Sequence, residues 1–184
     1  PKGATFDISG PGGNEPFIRT AIPMDADVDG NGNIYLVSWR GGGFGWGGLN
    51  NGMVYRVSLR NFTPVPLPDF DRISAAELVQ VLAGPSHVRR IEAQRAILRR
   101  KAELGAQVAP LLESLAADRS KPLNNRVSAL FTDKQLRGSA SIQTMARLVA
   151  DPTIAAWALR ALGDDLNQTR SIPIGLVTGS LSSI

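Results

Sequence analysis

Hydrophobic positions follow two different periods along this chain, and the change falls between residues 63 and 73. Before it, short apolar and aromatic runs stand between glycines and asparagines, at residues 34–39 (Ile-Tyr-Leu-Val-Ser-Trp) and 53–58 (Met-Val-Tyr-Arg-Val-Ser). Their β-branched and aromatic content predicts two strands. Glycine density and the Asp-Gly and Asn-Gly pairs supply the positive φ that compact turns require. Residues 40–48, glycines around Phe44 and Trp46 after Arg40, are too many for a two-residue hairpin turn and predict an open loop. In Thr63-Pro-Val-Pro-Leu-Pro68, three prolines cannot donate ladder hydrogen bonds and favour an extended connector.

After Ser74 the apolar spacing becomes helical. Ser74 with Glu77 is a capping-box signal, and Leu78, Val79, Val81 and Leu82 supply an apolar face. Gly84-Pro85-Ser86 stops that helix and starts another, with Val88, Ile91, Leu98 and Ala102 on one side. The arrangement recurs at Leu111, Leu112 and Leu115, followed by Arg126, Val127, Leu130 and Phe131. It recurs again at Met145, Leu148 and Val149, followed by Asp151-Pro152 and then Ala155, Trp157, Ala158, Leu159 and Leu162. From Leu82 to Leu115 is 33 residues by subtraction, and from Leu115 to Val149 is 34. A helix pair repeating at about that period predicts an α-solenoid. Residues 172–184 look like the first helix of a fourth pair without its partner. An uncapped solenoid end exposes apolar surface, so the chain is expected to be a piece of a larger protein.

The expected fold class is α+β in separate parts, a short antiparallel β segment followed by a solenoid of HEAT-like helical repeats. The expected organisation is residues 1–62 as the C-terminal part of a β-propeller, 63–73 as a Pro-rich linker, and 74–184 as the repeats. Composition agrees with the division: both tyrosines and two of the three tryptophans precede residue 60. The chain has no Cys, which removes disulfides, zinc-thiolate centres and covalently attached c-type haem from this segment. It starts at Pro1 with no basic-then-apolar leader, so an export signal is expected to lie outside it. The net charge of +4 is mild.

The densest candidate chemistry is Asp25-Ala-Asp27-Val-Asp29-Gly-Asn31-Gly-Asn33. Alternating carboxylates followed by glycine can wrap oxygen ligands around a hard cation. On that reading Asp25, Asp27 and Asp29 supply carboxylates, with Asn31 and Asn33 completing a Ca²⁺ site. The loop resembles the Asp-x-Asp-x-Asp-Gly-x-x-Asp loops of integrin-type propellers, with Asn33 in place of the last Asp. It does not fit a helix-loop-helix hand, because Gly32 replaces an apolar residue and Leu36 the bidentate Glu. The competing reading is an inter-strand turn, in which Asp, Asn and Gly serve local hydrogen bonding.

Residues 23–42, from Pro-Met-Asp through Ser-Trp-Arg-Gly-Gly, with residues 51–58, resemble the closing part of a glucose/sorbosone dehydrogenase-like propeller. Residues 82–100, from Leu-Ala-Gly-Pro-Ser-His to Ile-Leu-Arg-Arg, resemble the HEAT-type repeats appended to that propeller. The combination is similar to large bacterial membrane-bound dehydrogenases that carry propeller, HEAT repeats and a C-terminal cytochrome c domain in one chain. The resemblance implies oxidation of a sugar-like alcohol with the quinone PQQ, electrons passing to haem c, and a periplasmic or otherwise exported location. It assigns neither cofactor to this chain, which lacks Cys-x-x-Cys-His. Arg40, at a strand end, could hold an anionic quinone or a substrate hydroxyl. Without the other blades, an exposed loop arginine is the preferred reading. Phe44 and Trp46 could stack on a sugar, although aromatic rings more often pack on the nearest apolar surface.

Arg89, Arg90, Arg95, Arg99, Arg100 and Lys101 invite a phosphate-binding hypothesis. Glu92 and Glu103 interleave with them at helical spacing, so a solvated, ion-paired face is the preferred reading and nucleic acid is not an expected partner. His87, the only histidine, has no evident catalytic partner, and no nucleophile elbow, P-loop or dinucleotide fingerprint is present. No catalytic residue is assigned. The expected function is the propeller and solenoid portion of a quinoprotein-type sugar or alcohol dehydrogenase, its solenoid positioning a cytochrome domain or partner protein. The alternative is a non-catalytic interaction scaffold with a Ca²⁺-stabilised propeller loop.

Overall fold

A computed structural model of the chain describes residues 18, 20, 22–39, 51–170, 172 and 175. They fall into two compact units that divide between Leu67 and Pro68, inside the proline-rich stretch. The first carries a three-stranded antiparallel sheet and the second a set of helices, a mixture of α and β in separate parts.

Strands β1 (Pro23–Val28), β2 (Ile34–Trp39) and β3 (Gly52–Val57) lie in the order β1-β2-β3. Strand β1 corrects the expectation of one continuous acidic loop, because Asp25 and Asp27 lie in a strand. Pairing with β2 outweighs the poor β-propensity of Asp, which is a weak and context-dependent preference. Asp25 sits opposite Val37 and Asp27 opposite Tyr35, while Val54 and Arg56 face those β2 residues from the other side. Directly opposite residues share a face, so Asp25, Asp27, Val37, Val54 and Arg56 form one solvent-exposed surface. The alternate face carries Ile34, Leu36, Ser38, Met53 and Val57, which are less exposed, beside the exposed Ala26, Val28 and Tyr55. Pro23 opens β1, where its missing N–H is tolerated, and a bulge follows before Asp25.

In the second unit, α1 (Ala75–Leu82), α2 (His87–Arg99), α3 (Lys101–Ala117), α4 (Leu123–Arg137), α5 (Ile142–Val149) and α6 (Ala155–Gly163) precede a single turn, α7 (Leu166–Thr169). The capping box forms as expected: Ser74 Oγ accepts from Glu77 N at 3.3 Å, and Glu77 Oε2 accepts from Ser74 N at 2.8 Å. Ser86 caps α2 in turn, its hydroxyl accepting from Arg89 N. One boundary differs from expectation. Arg100 is at once the C-cap of α2 and the N-cap of α3, so Ala102 belongs to α3 and no loop separates the two helices. The buried residues of α2 are accordingly Arg90, Ala93, Ala96 and Ile97, while Val88, Ile91 and Leu98 are only partly covered.

Helices pack in consecutive pairs, α1 on α2, α3 on α4 and α5 on α6. Between pairs, α1 meets α3 and α3 meets α5, while α2 meets α4 and α4 meets α6, giving two layers. Leu82, Leu115 and Val149, the positions that marked the period, are all buried near the ends of α1, α3 and α5. Leu78, Leu112, Leu130 and Met145 are fully buried beside them, each worth about 1.5–3 kcal/mol of apolar transfer. Pro110 sits inside α3, where it cannot bond the Ala106 carbonyl one turn back.

Candidate functional site

The acidic segment ends in a tight hairpin loop. Asp29 N donates to Asn33 O and Gly32 N to Asp29 O, both at 3.0 Å, with Gly32 at φ +80°. This is the arrangement of a three-residue hairpin loop closed by a left-handed glycine. Within it the Asp29 carboxylate is the hub. Its Oδ1 accepts from Asn31 N at 2.8 Å and Asn33 N at 3.0 Å. Its Oδ2 accepts from Asn33 Nδ2 at 2.7 Å and Tyr35 Oη at 3.3 Å. The Asn33 amide, chiefly, holds the Asp29 carboxyl below its ordinary range; burial opposes this, and the two backbone N–H groups and Tyr35 reinforce it.

The other expected ligands point their chemistry elsewhere. Asp25 and Asp27 each accept from the next backbone N–H, those of Ala26 and Val28. Asn31 Oδ1 accepts from Val65 N at 3.0 Å, tying the proline-rich stretch to the hairpin. Among the described residues no three His, Cys, Asp or Glu side chains are placed to share a metal ion. Arg40, Phe44 and Trp46 lie outside the described residues, as does most of the expected fourth helix pair.

Of the arginines on α2, Arg95 pairs with Glu92 at 2.6 Å, and Arg99 with Asp71 rather than with a glutamate. Arg100 pairs with Glu103 at 2.8 Å and donates to the carbonyls of Ile73 and Phe70. Arg90 is buried and donates to the Gly84 and Pro85 carbonyls, fastening the α1–α2 turn. His87 occupies the first position of α2.

A denser polar constellation lies along the seam between α3, α4 and α5. Arg126 of α4, its side chain 3% exposed, reaches the turn before α6. There its Nη2 donates to Asp151 Oδ2 and its Nη1 to Thr153 Oγ1, both at 2.7 Å. Arg126 Nε donates to Ala116 O at the end of α3. Arg119, 70% exposed, meets the same Asp151 oxygen at 3.1 Å. Burial alone would raise the Asp151 carboxyl. The bonds from Arg126 and from the Thr153 hydroxyl and N–H outweigh it, and its pKa falls to about 2.

One helical face further on, Arg137 bonds both oxygens of Asp133 and pairs with Glu113 at 2.5 Å. The Thr144 hydroxyl donates to Glu113 at 3.0 Å, and Arg147 approaches that carboxylate at 3.6 Å. Between these two clusters α3 and α5 leave a groove of about 480 Å³, floored by Pro110, Ala117, Leu148 and Ala150. Arg126 and Asp151 both stood out as repeat positions in the sequence. Their pairing across 25 residues carries no local periodic signal, and neither does the groove.

The arrangement braces α3, α4 and α5 against one another. Compared with known protein families, curated proteins and solved structures, the chain matches none.

Proposed function

We propose that this chain acts as an interaction scaffold, its helical unit serving as a short HEAT-like solenoid. The observation that carries the reading is the like-on-like stacking of three helical hairpins, the second fastened to the third by Arg126 and Asp151. Repeats that touch only their neighbours build extended surfaces, which are suited to holding partners. Site-specific photocrosslinking tests it, with benzoylphenylalanine placed at exposed Arg95 or Gln107 in the producing cell. A discrete protein adduct from the helical unit is expected. Absence of adducts from every helical position would sink the reading.

A second reading is favoured by the antiparallel β1-β2-β3 meander with its acidic hairpin, together with the residues resembling a glucose/sorbosone dehydrogenase-like propeller. On it the sheet is part of a propeller blade in an exported quinoprotein, with PQQ, Ca²⁺ and haem c belonging to the parent enzyme. Reduction of dichlorophenolindophenol by the parent protein with PQQ, Ca²⁺ and an aldose would support that enzyme class. Failure with every sugar and primary alcohol tried would leave the scaffold alone. No helix among the described residues is long and apolar enough to cross a membrane.

A further inference from the structure

We propose that Asn51 is a site of spontaneous covalent modification, where water converts the side-chain amide to aspartate or isoaspartate through a cyclic imide formed with Gly52. The chain holds three junctions at which such a ring can close with no following side chain in the way, Asp29-Gly30, Asn31-Gly32 and Asn51-Gly52. The structure sets them apart.

The reaction needs a neutral acyl group on the side chain and a backbone nitrogen that can reach it and shed its proton. Asp29 fails the first requirement. Its carboxylate accepts from Asn31 N, Asn33 N, Asn33 Nδ2 and Tyr35 Oη, and these bonds favour the ionised form. Asn31-Gly32 fails the second. Gly32 N donates to Asp29 O at 3.0 Å, and Val65 N holds the Asn31 side-chain oxygen. The amide cannot swing onto Gly32 N without breaking the loop.

Asn51-Gly52 stands differently. Trp39 N donates to Ile22 O at 2.9 Å, so the N–H and C=O of Trp39 face β1. Opposed residues of antiparallel strands alternate between bonded and unbonded pairs, which makes Trp39 and Gly52 an unbonded pair across β2 and β3. Gly52 N therefore points off the outer edge of β3, where no further strand lies among the described residues. Gly52 is exposed, and a Cβ built on it would meet no atom of the described residues within 4 Å. Solvent base can reach this nitrogen.

In the closure Gly52 N bonds to Asn51 Cγ, the Cγ–Nδ2 bond breaks, and ammonia leaves with the glycine proton. Water then opens the imide. Cleavage of the new N–Cγ bond gives aspartate, whereas cleavage of the original peptide bond gives isoaspartate, with the chain running through Cγ. Nothing is oxidised or reduced. Either product sets a carboxylate at the head of an edge strand, where charge opposes pairing with another chain.

The test holds the full chain in mildly alkaline buffer, followed by trypsin digestion and mass spectrometry with electron-transfer fragmentation, which separates the two products. Trypsin places Asn31 in residues 20–40 and Asn51 in residues 41–56, so each reports by itself. The mass gain of an amide becoming an acid is expected several-fold faster in 41–56, on Asn51 rather than Asn50. Synthetic peptides of the two segments should convert at like rates. Gly52→Val, which the open space accepts, should slow the conversion several-fold, with hydrogen exchange along β2 verifying an intact sheet. Conversion of Asn31 as fast as Asn51 in the folded chain overturns the proposal. So does an Asn51 that converts only after urea unfolds the chain, or an unchanged rate in Gly52→Val.

Discussion

Arg126 and Asp151 meet at 2.7 Å with their side chains 3% and 9% exposed, joining the second helical hairpin to the third. A buried ion pair of this kind contributes little compared with apolar residues of the same shape. Its removal by halves is costly, because the survivor is left as an uncompensated charge.

Arg126→Ala is accordingly expected to destabilise the helical unit by about 3–5 kcal/mol. Urea unfolding followed by circular dichroism measures it. Arg126→Lys should recover little, because one ammonium cannot replace the fork that reaches Ala116, Thr153 and Asp151 together. Full recovery with Lys would mean that charge alone matters here.

Acid should reveal the same pair. The Asp151 carboxyl is lowered in the folded chain from 3.8 to about 2, so the unfolded chain binds the proton first. The stabilisation is complete above about pH 4 and drains away as pH falls toward 2. Asp151→Asn should flatten that part of the stability profile. An unchanged acid slope in the variant would assign the acid sensitivity to other carboxylates.

At the hairpin, Asp29→Ala should accelerate hydrogen exchange at the Asn31 and Asn33 amides, whose acceptor it removes. Asp25→Ala and Asp27→Ala should leave those amides alone, since among the described residues each side chain accepts from the next backbone N–H. Calcium protection of these amides that disappears in Asp27→Ala would establish a cation site at the hairpin, and no effect at millimolar calcium would leave an inter-strand turn.

Two glycines should respond with opposite signs. Gly138 follows α4 at φ +58° and ψ −124°, a conformation that side chains resist, so Gly138→Ala should cost about 1–3 kcal/mol. Gly105 lies inside α3, where an added Cβ meets Lys101 Cγ at 3.8 Å and Leu136 Cδ1 at 4.0 Å, ordinary contacts. Gly105→Ala should therefore stabilise by about 0.5–1 kcal/mol. Thermal melts of both variants read the difference.

What the sequence disclosed was whatever is local. Ser74 and Glu77 announced the first helix because a capping box closes within four residues. Leu82, Leu115 and Val149 announced the helix pairs because each is buried near the end of the first helix of its pair. Strand β1 escaped because Asp25 and Asp27 resist the strand on propensity, and only pairing with β2 overrides them. The Arg100 junction escaped because helical periodicity runs through it with no glycine or proline to mark the break. The polar seam escaped for the opposite reason: beyond the local Asp133–Arg137 pair, Glu113, Arg137 and Thr144, and likewise Arg126 and Asp151, meet only after their helices have packed.

The connections between hairpins also set how the helical unit would bend. At Arg100 one residue joins α2 to α3, and its guanidinium is pinned to Ile73, Phe70 and Glu103. Between α4 and α5 the joint is the four-residue 3₁₀ turn Gly138–Ser141, entered through a left-handed glycine. The second joint is braced as well: Arg137 Nη2 donates to Thr144 Oγ1 across the turn, and Ser141 Oγ donates to Gly138 O within it. A pull on the helical unit would have to break these ties before either joint could open, so the unit should transmit load rather than fold at one point.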